Sequence, residues 1–269
     1  MSKKNMIIGQ SGGPTAVINS SLAGAIDCAF KQDKIEKVYG MINGIEGFLN
    51  ENLLDLNASF ENKPYMMNCL KHSPAMYLGS CRYKLGGTED EYKHIFALLE
   101  KYNIGYFFYI GGNDSMDTVK QLSEYAAKIE SDVRFVGIPK TIDNDLVGID
   151  HSPGFGSAAK YIASCVREVA YDTSIYNIKS IHIIETMGRD AGWIAGSAAL
   201  AKEGTALAPH LIYLPEVAFS TEQFIKDVNK MLDKYNSVII VVSEGIRDKD
   251  GNYISAEGSK TDKFGHIML

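Results

Sequence analysis

The sequence contains few of the features that mark secreted, membrane-spanning or nucleic-acid-binding proteins. Its four cysteines are widely spaced in 269 residues and form no CxxC pair, which excludes a disulfide framework and a cysteine-rich zinc site and indicates reduced thiols in the cytoplasm. No apolar run approaches the roughly 18 residues that a membrane helix needs, and residues 1–5 lead into a strand without an apolar signal segment. A formal charge of −6 provides no overall attraction for nucleic acid or anionic membranes. An anionic ligand therefore needs a local cluster of basic side chains and helix N-termini.

The sequence does contain a regular alternation of apolar runs and helical stretches. Its apolar content of 45 % is enough to bury a full core, in one large domain or two small ones. The predicted strands are 6–9, 106–110, 134–138, 180–185, 211–214 and 237–242, and the predicted helices are 16–30, 115–128, 157–171, 191–202 and 221–235. This alternation predicts an α/β fold with parallel sheets covered by helices, in which ligands bind at the carboxyl ends of the strands. The polar stretch 143–153 indicates a domain seam, and we place the domains at 1–145 and 146–269.

Two glycine turns each follow a predicted strand and precede a predicted helix. They are Ser11–Thr15, after the first strand, and Gly111–Ser115, after the strand at 106–110. Glycine allows the backbone to approach a phosphate closely, and the N–H groups at a helix N-terminus bind anions. The alternative is an ordinary turn, with Asp114 or Ser115 as the helix cap. Two such turns in one sheet favour a cradle for phosphate or polyphosphate.

The run from Pro139 to Asp145 follows a third predicted strand and contains a lysine, a threonine and two aspartates. Lys140 can neutralise phosphate, and Asp143 can accept the proton of an attacking hydroxyl. Asp143 and Asp145 would face the same side of an extended segment. The alternative is that both are surface loop charges, which is the commonest environment of aspartate. At a strand end, and together with the glycine turns, the run predicts a phosphoryl-transfer site.

Three further polar turns contain candidate ligand-binding side chains. Thr186–Asp190 includes Arg189, whose planar guanidinium suits phosphate binding; the alternative is a surface arginine in an ion pair. Glu244 closes the last predicted strand, where it can accept hydrogen bonds from sugar hydroxyls. Arg82 adds a second arginine in a loop.

In this order, the motifs resemble those of the phosphofructokinase family. The similarity extends from Gly9 to the last residue and rests on the runs SGGPTAVIN, LGSCR, GGNDS, PKTIDND, ETMGRDAGW, PEV and SEG. The resemblance implies two doubly wound parallel-sheet lobes with an active-site cleft between them. Residues 1–145 would form the lobe that binds the phosphate donor, and residues 146–269 part of the lobe that binds the sugar phosphate. It also implies Mg²⁺-dependent phosphoryl transfer to the 1-hydroxyl of fructose 6-phosphate, and a homo-oligomer, either a dimer or a tetramer. Family chains continue beyond the point at which this sequence stops, so we expect a truncated chain with an incomplete second lobe.

The resemblance also assigns roles to individual residues. Asp143 matches the proton acceptor, with Thr141 and Asp145 beside it at the substrate. The positions that match substrate binding are Met187, Gly188, Arg189, Glu244 and His266, and those that match donor binding are Gly12, Arg82, Gly112 and Lys140. Asn113 is the candidate metal ligand, because many family members have a magnesium-binding aspartate there. An amide oxygen is a weaker ligand for a hard cation. Mg²⁺ would therefore be coordinated mainly by the phosphoryl donor, pyrophosphate, and by Asp143 and Asp145.

Asp114 and Lys140 predict the phosphoryl donor. ATP-using members typically have glycine at both positions, whereas the pyrophosphate-dependent branch resembles this chain at both. Asp114 would place negative charge and bulk where the α-phosphate of a nucleotide must lie. Lys140 would stabilise charge on the transferring or leaving phosphate of pyrophosphate. We therefore expect reversible, pyrophosphate-dependent formation of fructose 1,6-bisphosphate in glycolysis, with Asp143, Lys140, Asp114 and Thr141 as the catalytic set. Transfer from ATP and a truncated, non-catalytic subunit are the alternatives.

Overall fold

The computed structural model describes residues 3–202 and 208–255. The chain divides into two compact units, Met1–Thr141 and Ile142–Leu269. The division falls within the polar run at residues 139–145. The assignment of donor binding to residues 1–145 and of sugar-phosphate binding to residues 146–269 stays a prediction.

The first unit is a doubly wound α/β structure. Its elements are, in chain order, β1 (Lys4–Gln10), α1 (Ile18–Ala29), β2 (Ile35–Met41), α2 (Gly44–Leu49), β3 (Leu53–Asp55), α3 (Leu56–Phe60), α4 (Pro64–His72), α5 (Glu89–Lys101), β4 (Ile104–Gly111), α6 (Asn113–Lys128) and β5 (Arg134–Pro139). The strands form one sheet in the order β3-β2-β1-β4-β5, and each neighbouring pair is parallel except β2 and β3. The strand order reverses direction between β1 and β4. The loops after these two strands therefore open at the position where doubly wound sheets bind ligands.

The apolar run of β1 is buried on both faces of this sheet. Met6 and Ile8 pack into a core cluster with Ile18 of α1. Ile7 packs into a second cluster, which includes Phe107 of β4. Because successive side chains of a strand point to opposite faces, a strand that is covered on both sides needs apolar residues at every position. This burial fixes the carboxyl end of β1, and the glycine turn that follows it, near the middle of the sheet edge.

The second unit contains a smaller parallel sheet. Its described elements are, in chain order, α7 (Phe155–Ser174), β6 (Ser180–Thr186), α8 (Trp193–Ser197), a 3₁₀ helix (Ala198–Ala201), β7 (Leu211–Tyr213), α9 (Thr221–Leu232) and β8 (Ser237–Ser243). The strand order is β6-β8-β7, with both pairs parallel. Because β6 and β8 are neighbours and run in the same direction, the loops that follow them leave the sheet side by side.

The predicted fold class is confirmed, with two local differences. The edge strand β3 runs antiparallel to β2, so the first sheet is not wholly parallel. The helix predicted at 191–202 is instead a short α helix followed by a 3₁₀ helix. Gly192 and Gly196 lie in this stretch, and glycine has a low helix propensity, which shortens regular α-helical structure here. Within the part of the chain that is described, no helix has the length and apolar character needed to cross a membrane.

Candidate active site

The first glycine turn lies directly against the second turn and Lys140. Gly12 has a φ of +77°, a backbone conformation that favours glycine. A Cβ atom at Gly12 would lie 3.3 Å from the Lys140 Nζ and 3.6 Å from the backbone N of Gly112. The carboxyl ends of β1, β4 and β5 thus bring two backbone turns and one ammonium together. This is the close approach of backbone and positive charge that phosphate binding requires.

Lys140 connects the two turns. Its backbone N–H donates to the carbonyl of Gly111 at 2.8 Å, and its Nζ donates to the carbonyl of Gly13 at 2.6 Å. The residue is only 4 % exposed. Burial of an ammonium is costly unless oxygen atoms or an anion surround it. The structure thus places Lys140 beside both glycine turns, with carbonyl oxygens as its partners.

Asn113 and Asp114 lie in the first turn of α6, next to the second glycine turn. Both are exposed, and Gly112 is the N-cap residue of the helix. The positive end of the helix dipole attracts anions at this position. The negative charge of Asp114 therefore also stabilises the N-terminus of α6, in addition to any effect on a ligand.

The loop that carries Arg82 is hydrogen bonded to the first glycine turn. The hydroxyl of Ser80 donates to the carbonyl of Gly12 at 2.8 Å, and the hydroxyl of Ser11 donates to the carbonyl of Cys81 at 3.4 Å. Arg82 itself is exposed. Ser80 lies inside the run LGSCR but is not among the predicted site residues. Its role is to join the backbone of that run to the Gly12 turn.

In the second unit, the loops after β6 and β8 are joined at the sheet edge. Glu244 accepts a hydrogen bond from the N–H of Gly188 at 3.3 Å, and the hydroxyl of Ser243 donates to the Gly188 carbonyl at 2.7 Å. Gly188 has a φ of +119°, where a side chain would be strained. The structure therefore places the predicted substrate-binding residues Met187, Gly188 and Arg189 next to Glu244.

One hydrogen-bond donor of Arg189 has no acceptor among the described residues. Its Nε is buried and has no hydrogen-bond partner among residues 3–202 and 208–255. Buried polar groups normally find a partner. The Arg189 guanidinium is thus suited to an anionic ligand.

The loop that contains Arg189 also packs closely against the loop after β8. A Cβ atom at Gly245 would come within 1.7 Å of the Arg189 carbonyl oxygen, so the close packing of these two loops requires glycine there.

Asp143 lies in a turn that its neighbour Asn144 stabilises. Asn144 has a φ of +59°, and its side chain donates to the Asp150 carbonyl at 3.0 Å and accepts from the Ser152 N–H at 2.7 Å. The segment is therefore not extended, and the expectation that Asp143 and Asp145 share one side of an extended strand does not apply. Asp143 is half-buried, whereas Asp145 is exposed.

The electrostatic environment of Asp143 connects it with the loops after β6 and β8. Burial raises the pKa of the Asp143 carboxyl, and the negative charges of Asp145, Glu244 and Asp190 raise it further. The positive charge of Arg189 opposes these effects. Three separate sequence motifs are thus within electrostatic reach of one carboxylate in this unit. A raised pKa makes Asp143 a stronger base than an ordinary aspartate.

Two residues that the sequence analysis missed hold the turn at Arg189. The guanidinium of Arg247 donates to the carboxylate of Asp190 and to the hydroxyl of Tyr253, and it lies 4.4 Å above the Tyr253 ring centroid. The Tyr253 hydroxyl also donates to Asp190, at 3.2 Å. Arg247 follows the SEG motif by two positions, and this proximity was the available signal. Asp190, and with it the turn that contains Arg189, is therefore anchored by the segment that follows β8.

Two further candidate residues are Thr141 and His266. Thr141 is half-buried at the end of the first unit. His266 lies outside the described residues. Within residues 3–202 and 208–255, no three or more histidine, cysteine, aspartate or glutamate side chains are grouped so that they could hold a metal ion.

Comparisons with known proteins agree with the motif analysis. The phosphofructokinase family model matches residues 5–267. The chain is 41 % identical over 275 residues to the pyrophosphate–fructose 6-phosphate 1-phosphotransferase of Halomonas elongata, with 100 % of this chain and 65 % of that protein aligned. It is 42 % identical over 274 residues to the protein of the same name from Xanthomonas campestris pv. campestris, with 100 % and 64 % aligned.

A solved structure shows the same relationship. The crystal structure of the pyrophosphate-dependent phosphofructokinase from Nitrosospira multiformis matches with a TM-score of 0.85 and 38 % identity, over 93 % of this chain and 62 % of that one. The chain thus spans a little under two thirds of the length of these relatives. With the family model matched from residue 5 to residue 267, and with its motifs at the strand ends, the chain belongs to the phosphofructokinase family.

Proposed function

We propose that this protein transfers a phosphoryl group between pyrophosphate and fructose 6-phosphate. In the forward direction, the 1-hydroxyl oxygen of the sugar forms a bond to one phosphorus of pyrophosphate, and the bridging P–O bond breaks. The products are fructose 1,6-bisphosphate and orthophosphate. The observation that carries this proposal is the buried ammonium of Lys140, bonded to the Gly13 carbonyl at 2.6 Å between two glycine turns. Such a site suits a small and highly charged donor.

The first unit supplies groups for the donor. The backbone of the turns at Gly12 and Gly112 can donate to phosphate oxygens, and Lys140 and Arg82 supply positive charge. Asp114 supports pyrophosphate over ATP, because its carboxylate would repel the α-phosphate of a nucleotide. The names of the aligned relatives from Halomonas elongata and Xanthomonas campestris support the same donor.

The second unit supplies groups for the sugar phosphate. Asp143 accepts the proton of the 1-hydroxyl as the new bond to phosphorus forms. Arg189 offers its guanidinium to the sugar phosphate, and Glu244 accepts hydrogen bonds from sugar hydroxyls. In the reverse direction, Asp143 returns the proton to the sugar oxygen. A raised pKa suits both roles, since the group must both take up and release the proton.

The carboxylates of Asp143 and Asp145 are suited to a magnesium ion that binds together with pyrophosphate. Mg²⁺ in proteins usually takes only one or two carboxylate ligands, with substrate phosphates and water completing the octahedron. Asp143 and Asp145 provide such a pair, and the charge of Asp145 raises the pKa of Asp143, which a nearby cation would offset. Asn113 is a further candidate ligand. When bound, Mg²⁺ would neutralise charge on the phosphate oxygens.

The cellular context that we propose is a homo-oligomer, either a dimer or a tetramer, in the cytoplasm. Support for the compartment comes from the four cysteines, which all remain as thiols. Support for an oligomer comes from the family resemblance. Light scattering on the purified chain measures its mass and distinguishes a monomer of 29.6 kDa from these assemblies.

The test of the proposed function is formation of fructose 1,6-bisphosphate by the 269-residue chain, with either pyrophosphate or ATP as donor and with Mg²⁺ present. We expect turnover with pyrophosphate and little with ATP. Turnover with ATP alone would contradict the roles given to Asp114 and Lys140. Absence of turnover with both donors would contradict catalysis by this chain.

The anchor at Asp190 leads to a separate prediction. We expect Arg247→Met to raise the KM for fructose 6-phosphate by about tenfold, because the turn that carries Arg189 loses its attachment. The KM for pyrophosphate should change much less, since its proposed ligands are in the first unit. Steady-state kinetics with each substrate varied in turn makes the comparison. Lys249→Met is a matched control, because Lys249 is an exposed cation two positions further along the same segment. An equal rise in both KM values would contradict the prediction.

A further inference from the structure

Two buried amide side chains flank the first glycine turn. Gln10, the last residue of β1, is 0 % exposed, and Asn19, in the first turn of α1, is 2 % exposed. Glutamine and asparagine are seldom buried so completely, and when they are, their donors and acceptors need partners. The turn between them contains Gly12.

The two amides are bonded to each other across the turn. The Nε2 of Gln10 donates to the Oδ1 of Asn19 at 3.0 Å and to the carbonyl of Ile18 at 3.1 Å. The end of β1 is thereby tied to the start of α1. Because both ends of the turn are held, the backbone around Gly12 has less conformational freedom than an open loop of the same length.

The same pair also holds the backbone of residues 73–78. Four hydrogen bonds do this: Leu78 N–H to Gln10 Oε1 at 2.9 Å, Tyr77 N–H to Asn19 Oδ1 at 2.9 Å, and Asn19 Nδ2 to the carbonyls of Ser73 at 3.2 Å and Pro74 at 3.4 Å. Each amide N–H₂ therefore has two acceptors, and each amide oxygen has at least one donor. Such a fully satisfied network is rigid.

Residues 73–78 lead directly to the loop that carries Arg82. Ser80 lies in this loop, and its hydroxyl donates to the Gly12 carbonyl at 2.8 Å. The Gly12 turn and the Arg82 loop are thus both attached to the Gln10–Asn19 pair. Amides also suit this place chemically, because they make these bonds without adding negative charge beside an anionic donor.

We propose that Gln10 and Asn19 are positioning residues for the phosphate donor. Acting through the backbone, they fix the Gly12 turn and the Arg82 loop in the one arrangement that can contact pyrophosphate. The inference rests on the proposed function and extends it to two residues that do not themselves touch the donor. Loosening the pair should therefore weaken donor binding selectively and leave the binding of fructose 6-phosphate nearly unchanged.

The test compares Gln10→Met and Asn19→Leu, which keep approximate side-chain size but remove the amide. Gln10→Asn is a milder variant, which keeps an amide and shortens the side chain by one methylene. Asn5→Leu is the matched control: Asn5 lies at the opposite end of β1, is 9 % exposed, and bonds the Tyr102 carbonyl at 2.7 Å and the Lys37 N–H at 3.1 Å.

We expect the KM for pyrophosphate to rise about tenfold in Gln10→Met and Asn19→Leu, and by less in Gln10→Asn. The KM for fructose 6-phosphate should change by less than about twofold. Amide hydrogen exchange in residues 73–82 should become faster in the same variants. Asn5→Leu should lower the melting temperature without these effects, because it removes buried hydrogen bonds away from the turn.

The possible outcomes separate this inference from the proposed function. If the parent protein uses pyrophosphate but the variants raise both KM values equally, or neither, the positioning role is wrong and the function stands. If the parent protein turns over neither donor, the function fails, and titration calorimetry with pyrophosphate then tests the pair by itself. Pyrophosphate affinity and exchange in residues 73–82 that match the parent protein in all three variants would overturn the inference.

Discussion

Asp143→Asn should lower kcat by roughly 10³-fold in both directions of the reaction, which is within the range for loss of a general base. Asparagine has nearly the same shape as aspartate but cannot accept the proton of the 1-hydroxyl. The KM for fructose 6-phosphate should change little, because Arg189 and Glu244 remain in place. Steady-state rates of fructose 1,6-bisphosphate formation, and of pyrophosphate formation in the reverse reaction, provide the measurement.

Asp150→Asn is the control for this substitution. Asp150 lies seven positions further along the same loop, is exposed, and contacts Asn144 through its backbone carbonyl, which the substitution leaves intact. We expect this variant to retain the parent rate. An Asp143→Asn protein that keeps more than about a tenth of the parent kcat would show that another group, or water, takes the proton.

The strands that carry the site were predictable because their burial is simple. Residues 6–8 of β1 and nearly every residue of β4 are apolar, since helices cover both faces of these strands. Between residues 31 and 103, where no helix or strand is predicted from the sequence, the strands lack such a continuous apolar pattern. β2 reads IEKVYGM, in which charged and apolar residues are mixed, and β3 has only three residues at the sheet edge. Such strands are defined by their pairing with neighbours more than by local pattern.

One unassigned element did have a local signal. α5 begins after Thr88, whose hydroxyl accepts from the Glu91 N–H at 3.3 Å, and its buried residues Ile95, Leu98 and Leu99 follow helical spacing. A threonine followed three residues later by glutamate is a capping signature that can be recognised from sequence. The helix was therefore predictable from local sequence alone, although it is not among the predicted elements.

The local geometry around Asp143 was not predictable in the same way. Asn144 adopts a left-handed conformation because its side chain bonds to Asp150 and Ser152, six and eight residues away. Asparagine tolerates this conformation, but the sequence does not reveal which asparagines adopt it.

The contacts that support the candidate site depend even more on tertiary structure. Gln10 and Leu78 are separated by 68 positions, and Asp190 and Arg247 by 57. Motifs identify side chains that can contact a ligand, because their chemistry is distinctive. Residues that hold those motifs in position have ordinary chemistry, and their role becomes visible only through their partners.

The choice of donor should change when Asp114 and Lys140 are both replaced by glycine. We expect the double variant to lose roughly 10²- to 10³-fold in kcat/KM for pyrophosphate, because it lacks the buried cation that we propose stabilises the transferring or leaving phosphate. ATP should gain weak activity, since the repulsive carboxylate is absent and more space is available for a nucleotide. Rates with both donors, measured on the same preparation, give the ratio that decides the matter.

The single variants separate charge from structure in this prediction. Lys140→Met removes the ammonium but keeps most of the side chain, and it should account for most of the loss with pyrophosphate. It also leaves the Gly13 carbonyl without that donor, so the melting temperature must be followed alongside the rate. Lys120→Met is the matched control, because Lys120 is exposed on α6. A double variant with an unchanged pyrophosphate rate would refute the donor argument, because Lys140 would then be a structural cation alone.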